Sequence, residues 1–141
     1  MDPFISSTMY KVSYEGSLRT RSIHLKSEET LITDAPVDNN GKGEAFSPTD
    51  LVASSLASCM MTIMGIAAEK KGLVMPSVAA EVQKVMASNP RSIGEIRIRM
   101  TLGENSLSLK DRAILEHAAK ACPVAKSLHP DVVQMVEFVY L

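Results

Sequence analysis

The chain is 141 residues long and 45% hydrophobic, with 15 basic and 16 acidic side chains and a formal charge of −1. That length fits one soluble domain able to bury a core, and the near-neutral balance, with three Tyr, three Phe and no Trp, excludes the basic, aromatic surface that binds nucleic acid. Two cysteines are too few for a disulfide scaffold and, without a Cys-x-x-Cys or Cys/His cluster, too few for a structural zinc ion.

Met1 to Thr8 lacks the basic region and apolar run of a signal peptide, so a cytoplasmic protein with reduced thiols is expected. Residues 1–8 are set aside as a leader or an added extension ahead of a start at Met9, and residues 9–141 as a single domain. Tyr10 to Tyr14 alternates apolar and polar residues and breaks at Glu15-Gly16, which predicts a hairpin returning over Leu18 to Lys26. On the returning strand Arg19 and Arg21 share a face with Ile23 and Leu25, because strand side chains repeat with period two. Leu31 to Thr33 is a third short strand, followed by a loop rich in Asp, Asn and Gly from Asp34 to Phe46.

Ser47-Pro48-Thr49-Asp50 then opens a long helix: a serine N-cap, a proline at the first helical position and an acid that completes a capping box. Lys70 and Lys71 suit the negative end of the helix dipole, and Gly72 stops the helix. Its uncharged stretch, Leu51 to Ala68, barely reaches the ~20 residues a bilayer requires. Because it contains Ser54, Ser55, Ser58, Thr62 and Gly65 and lacks an aromatic belt, a helix buried in protein is expected rather than a membrane span. Val78 to Met86 and Gly94 to Leu102 read as strands joined by a turn at Asn89-Pro90-Arg91. A helix over Leu109 to Ala121 is interrupted by Cys122-Pro123, and the proline can start a second short helix, Val124 to Leu128, with Cys122 at its N-cap. Val132 to Tyr140 is the last strand.

This order is α+β rather than an alternating parallel-sheet arrangement. Uncharged residues lie on every side of the long helix, Val52, Leu56, Ile63 and Ile66 toward Cys59 and Leu51, Ser58, Met61 and Ala68 elsewhere. Six short strands can hardly cover such a helix all round, so a second copy of the chain is inferred as its partner, in a homodimer.

The cysteines read two ways. Cys59, mid-helix among Met60, Met61 and Met64, has the surroundings of a small buried hydrophobe. Far from the helix N-terminus, its thiol would need a nearby cation to be activated, and Arg19 or Arg21 could supply it. Cys122 stands where a helix break leaves unpaired backbone N–H groups, although packing at a junction explains it equally. Of His24, His117 and His129, the last two flank Cys122 in sequence and could polarise it, though an exposed helix histidine and a pre-proline loop histidine are the more ordinary readings; neither a Ser/His/Asp set nor a Gly-rich phosphate loop is apparent.

Residues 47 to 59, Ser-Pro-Thr-Asp-Leu-Val-Ala-Ser-Ser-Leu-Ala-Ser-Cys, with Ala121-Cys122-Pro123-Val124, resemble the OsmC/Ohr family of thiol peroxidases. The likeness extends to Tyr14-Glu15-Gly16 and Thr33-Asp34-Ala35-Pro36, and so to nearly the whole chain beyond Met9. The resemblance implies an OsmC-like fold, an intertwined homodimer with long central helices wrapped by antiparallel β-sheets and sites at the subunit boundary. It also implies that Cys59 attacks an organic hydroperoxide, that Cys122 resolves the sulfenic acid as a disulfide, and that a dithiol such as protein-bound lipoyl reduces it. No metal, flavin or haem cofactor is called for. Met60, Ile63 and Met64 would contribute to a greasy substrate pocket, with packing in the core as the alternative for the methionines.

One family feature is displaced. Active members pair an arginine with a glutamate that follows the proline, and here that position is Thr49. Asp50, one residue on and about 100° further round the helix, is the candidate acid, with Glu44 in the preceding loop as another. Arg19 is the candidate arginine by its place after the hairpin turn. Against the peroxidase stand two other readings: a non-catalytic OsmC-like module that binds a small molecule, and a thiol redox sensor.

Overall fold

The alternation that begins at Tyr10 is realised as a three-stranded meander. A computed structural model describes residues 2–141, apart from the side chain of residue 4, and places β1 at Tyr10–Gly16, β2 at Arg19–His24 and β3 at Thr30–Asp34, each antiparallel to the next. At the first turn Gly16 has φ +88, and Ser17 and Leu18 follow at +53 and +62. Such a run of positive φ is costly for residues with a Cβ, and a glycine at its head removes one clash. A short helix, α1, forms at Pro3–Ser6, ahead of Met9.

The chain divides into two compact units, residues 1–51 and 52–141. The first holds α1, the meander, the loop to Phe46 and the opening turn of the long helix α2, Pro48–Lys71. The start of α2 is built as expected: the Asp50 backbone N–H donates to Ser47 Oγ at 3.1 Å, and the Ser47 N–H donates back to the Asp50 carboxylate at 2.9 Å. This reciprocal box satisfies donors that the first helical turn leaves unpaired. At the other end Gly72 takes φ +66, its N–H bonds to the Glu69 carbonyl, and the Leu73 N–H reaches back to Ala68 at 2.9 Å. These are the two bonds of a Schellman stop, and a side chain at Gly72 would strain that conformation.

In the second unit β4 (Val78–Ala87) pairs antiparallel with β5 (Ser92–Leu102), followed by α3 (Leu109–Lys120), α4 (Pro123–Ser127) and β6 (Val133–Tyr140). Here the antiparallel expectation needs correcting, because β6 joins β5 in parallel. The two helices between these strands supply the long crossover that a parallel return requires. Ser108 caps α3 in a second capping box with Asp111.

The core lies in this unit. Ala53, Leu56, Ala57, Met60, Met64 and Ala68 form one buried stripe of α2, at spacings of three and four residues. They cluster with Ile96, Ile98, Met100 and Leu102 of β5 and with Leu115 and Ala119 of α3. Burying each of the larger side chains contributes about 1.5–3 kcal/mol. By length and composition α2 could cross a bilayer, with a mean hydropathy of 1.8 over its most apolar window, but its buried stripe belongs to this cluster. Off that stripe, toward Cys59, α2 leaves Val52 and Ile66 exposed.

Candidate functional site

Helix α2 carries Cys59 next to Met60 of the buried stripe, and at this edge the thiol is half-buried. Ile63, one turn on and also half-buried, shares that side of the helix. Met60 and Met64 are fully buried in the core. The three- and four-residue spacing that links these two methionines to Leu56 turns them inward, and of Met60, Ile63 and Met64, the residues expected at a pocket, Ile63 alone keeps exposed surface.

Cys122 is fully buried and occupies the junction anticipated for it. Helix α3 ends at Lys120, Pro123 takes the first position of α4, and Cys122 between them is the N-cap, with its sulfur accepting the Ala125 backbone N–H at 3.4 Å. Burial pushes the Cys122 thiol above its ordinary pKa, against the pull of the Ala125 and Val124 N–H groups. The remaining influence is Cys59, whose neighbouring thiol raises Cys122 further. Two cysteines far apart in sequence are thus neighbours in the fold, both as free thiols. They differ in burial: Cys59 is half-buried, whereas Cys122 is withdrawn from solvent, which pushes its thiol upward. His117 and His129 are exposed, and neither is among the groups that act on Cys122.

The other concentration of charge lies in the first unit. Arg19 begins β2 opposite Asp34 at the end of β3. Its Nε donates to one Asp34 carboxylate oxygen at 2.7 Å and its Nη2 to the other at 2.8 Å, a bidentate fork. Nη2 also reaches Glu44 at 3.3 Å, and the Glu44 backbone N–H donates to Asp34 Oδ2 at 3.2 Å. Arg19's hydrogen bonds hold the Asp34 carboxyl below the usual range despite its burial, and Asp34 in turn raises Arg19. Arg21, on the same strand, is exposed and approaches only Glu15 at 3.4 Å. Of the acids considered from sequence, Glu44 is thus a partner of Arg19, while Asp50 serves the capping box. Asp34 was missed altogether, and the signal that could have found it is an acid at the strand end facing Arg19 across an antiparallel pair.

A further polar group fastens α3 to β6. The Tyr140 hydroxyl donates to Glu116 at 2.8 Å, and the Arg112 guanidinium sits 4.2 Å above the Tyr140 ring. Burial, then Glu116, pushes the phenol upward, so it stays protonated and donating. Among the described residues no three His, Cys, Asp or Glu side chains gather as a metal site.

A sequence model of the OsmC-like protein family matches residues 41–136. A Psychrobacter arcticus protein, described as induced by osmotic stress and part of a detoxification response, is 53% identical, and its crystal structure matches 93% of this chain and 95% of its own with a TM-score of 0.87. The fold extends to an OsmC-like protein from Mycoplasma pneumoniae, at 16% identity with 94% and 95% coverage and a TM-score of 0.77. It extends also to an organic hydroperoxide resistance protein OsmC from Legionella pneumophila, at 15% identity with 94% and 98% coverage and a TM-score of 0.70. No curated protein sequence matches the chain. With the family model spanning both the start of α2 and the Cys122-Pro123 junction, and with a relative that shares over half its residues along nearly its full length, the chain belongs to the OsmC-like family.

Proposed function

We propose that the protein is a cysteine-based peroxidase that reduces organic hydroperoxides in a cytoplasmic detoxification response. The observation that carries this reading is the pairing of a reachable Cys59 with a buried, protonated Cys122 beside it. In this scheme the Cys59 thiolate attacks the terminal peroxide oxygen. The O–O bond breaks, the alkoxide leaves with a proton as an alcohol, and Cys59 becomes a sulfenic acid. The Cys122 sulfur displaces hydroxide from that sulfenic acid, its proton leaves in the water formed, and the two sulfurs join as a disulfide. A dithiol such as protein-bound lipoyl returns both thiols by exchange and becomes a disulfide itself. Arg19 is the guanidinium assigned to peroxide binding, and Ile63 the side chain assigned to the alkyl group. The apolar side of α2 that carries Val52 and Ile66 is assigned to a second copy in a homodimer, which light scattering on the purified chain would test.

Counting free thiols after one equivalent of cumene hydroperoxide tests the chemistry. Two thiols should be lost rapidly, more slowly with hydrogen peroxide, and Cys59→Ser should abolish the loss. The complete burial of Cys122 favours a second reading, a small-molecule binding module in which the cysteines only pack. Thiols that stay unchanged over many minutes would decide for it.

A further inference from the structure

The Cys122 sulfur closes the first turn of α4. It accepts the Ala125 backbone N–H at 3.4 Å, and the Ala125 carbonyl in turn accepts Gln134 Nε2 of β6 at 3.0 Å. The same sulfur has Cys59 as its neighbour, at the edge of the apolar cluster in which Cys122 is buried. Both cysteines are free thiols here. A disulfide draws its two sulfurs to about 2 Å, inside non-bonded contact, so at least one of them shifts when that bond forms.

The elements around the pair differ in how far they can yield. Cys59 stands within the 24 residues of α2, next to the fully buried Met60. On its upstream side Cys122 is tied to α3: its N–H donates to the Ala119 carbonyl at 3.2 Å, and Ala119 and Leu115 are fully buried. Pro123 favours the extended backbone that Cys122 adopts, φ −67 and ψ 154, and so opposes a helical turn there that would take up the change. Downstream lies α4, five residues long, with Pro123, Lys126 and Ser127 exposed. A helix of that length is not stable by itself and stands on its cap and its packing. The shift therefore falls on α4.

We propose that α4 is a redox-sensitive latch, closed while the Cys122 sulfur caps it and released when that sulfur bonds to Cys59, which opens residues 123–128 to solvent. This rests on the disulfide pairing in the peroxidase reading, and a thiol sensor would use the same device. In the oxidation an organic hydroperoxide takes two electrons from the pair: the O–O bond breaks, one alcohol and one water carry off the two thiol protons, and the S–S bond forms. The Ala125 N–H loses its acceptor, and as the turn loosens its carbonyl loses Gln134. The opened turn gives a dithiol reductant the access to a disulfide sulfur that exchange requires.

Amide-resolved hydrogen exchange tests the latch. The dithiol protein is compared with protein oxidised by one equivalent of diamide, which takes two electrons and two protons from a thiol pair without peroxide chemistry, and free thiols are counted in both. Oxidation should speed exchange at Ala125 about tenfold, on the scale of a lost cap, and leave Leu115 and Ala119 within about twofold. Cys59→Ser under the same treatment should show no change at Ala125. The proposal is overturned if the disulfide forms and Ala125 stays within twofold, or if its amide is already unprotected in the dithiol form. Equal acceleration through α3 and β5, a general loosening, overturns it too, as does acceleration in Cys59→Ser. Two thiols left free by diamide overturn the pairing and the latch together. A disulfide that forms with diamide but not with cumene hydroperoxide overturns the peroxidase reading alone, and the exchange at Ala125 then still decides for or against the latch.

Discussion

In residues 1–51 the described side chains withdrawn from water are Thr33, Asp34 and Ser47; in residues 52–141 they are aliphatic, thioether or thiol groups, from Ala53 to Ala125. The first unit thus orders itself around directional bonds, a guanidinium fork and a capping box, while Tyr10, Val12, Tyr14 and Leu31 remain exposed on its strands. The second orders itself around close-packed apolar surface and places a thiol within it. The difference teaches how labour can be divided in a small protein. Apolar packing withdraws the Cys122 sulfur from water, whereas hydrogen bonds fix the pose of the Arg19 guanidinium, something packing alone does poorly because it has no direction.

The comparison can be broken at several points. The largest expected effect is chemical: Cys59→Ser should lower peroxide consumption by at least about a thousandfold, as loss of a nucleophile does, with an unchanged melting curve. Next, Met60→Ala in the second unit should cost about 2–5 kcal/mol in urea unfolding, the range for truncating a buried methionine. If it costs under 1 kcal/mol, the core is not where the stability lies. Ser108→Ala, which removes the α3 cap, should cost about 1 kcal/mol and leave peroxide turnover as it was.

The subtlest test is of pH. The folded-state pKa of Asp34 is lowered, so its contribution is fully present above the unfolded value near 3.9 and is lost as pH falls through the folded value. The difference in Tm between wild type and Asp34→Asn should therefore be constant from about pH 5 to 8 and shrink below about pH 4. A difference that grows on acidification would mean that the fork is not what orders the first unit.

Much of this arrangement was legible in the sequence where the physics is local. Ser47-Pro48-Thr49-Asp50 and Gly72 bound α2 because caps act within one turn, and Cys122-Pro123 marked a helix start for the same reason. The alternation from Ile96 to Leu102 separated the faces of β5 correctly. What escaped depends on register and direction. Alternation is the same for parallel and antiparallel strands, so β6 gave no sign of which way it runs. Asp34 was an unremarked acid until pairing set it opposite Arg19. Composition suits Met60 and Met64 to a core more than to a greasy pocket, and the stripe they share with Leu56 places them in the core cluster.

The N-cap at Cys122 changes how that residue should be probed. Its sulfur holds the first turn of α4 as well as any redox role, and serine is among the best N-caps. Cys122→Ser should preserve the turn while removing the second thiol, whereas Cys122→Ala should remove both. Any difference in melting temperature between these variants measures the architectural share of the sulfur. The sulfenic acid that accumulates on Cys59 in the serine variant, trapped with dimedone, measures the chemical share.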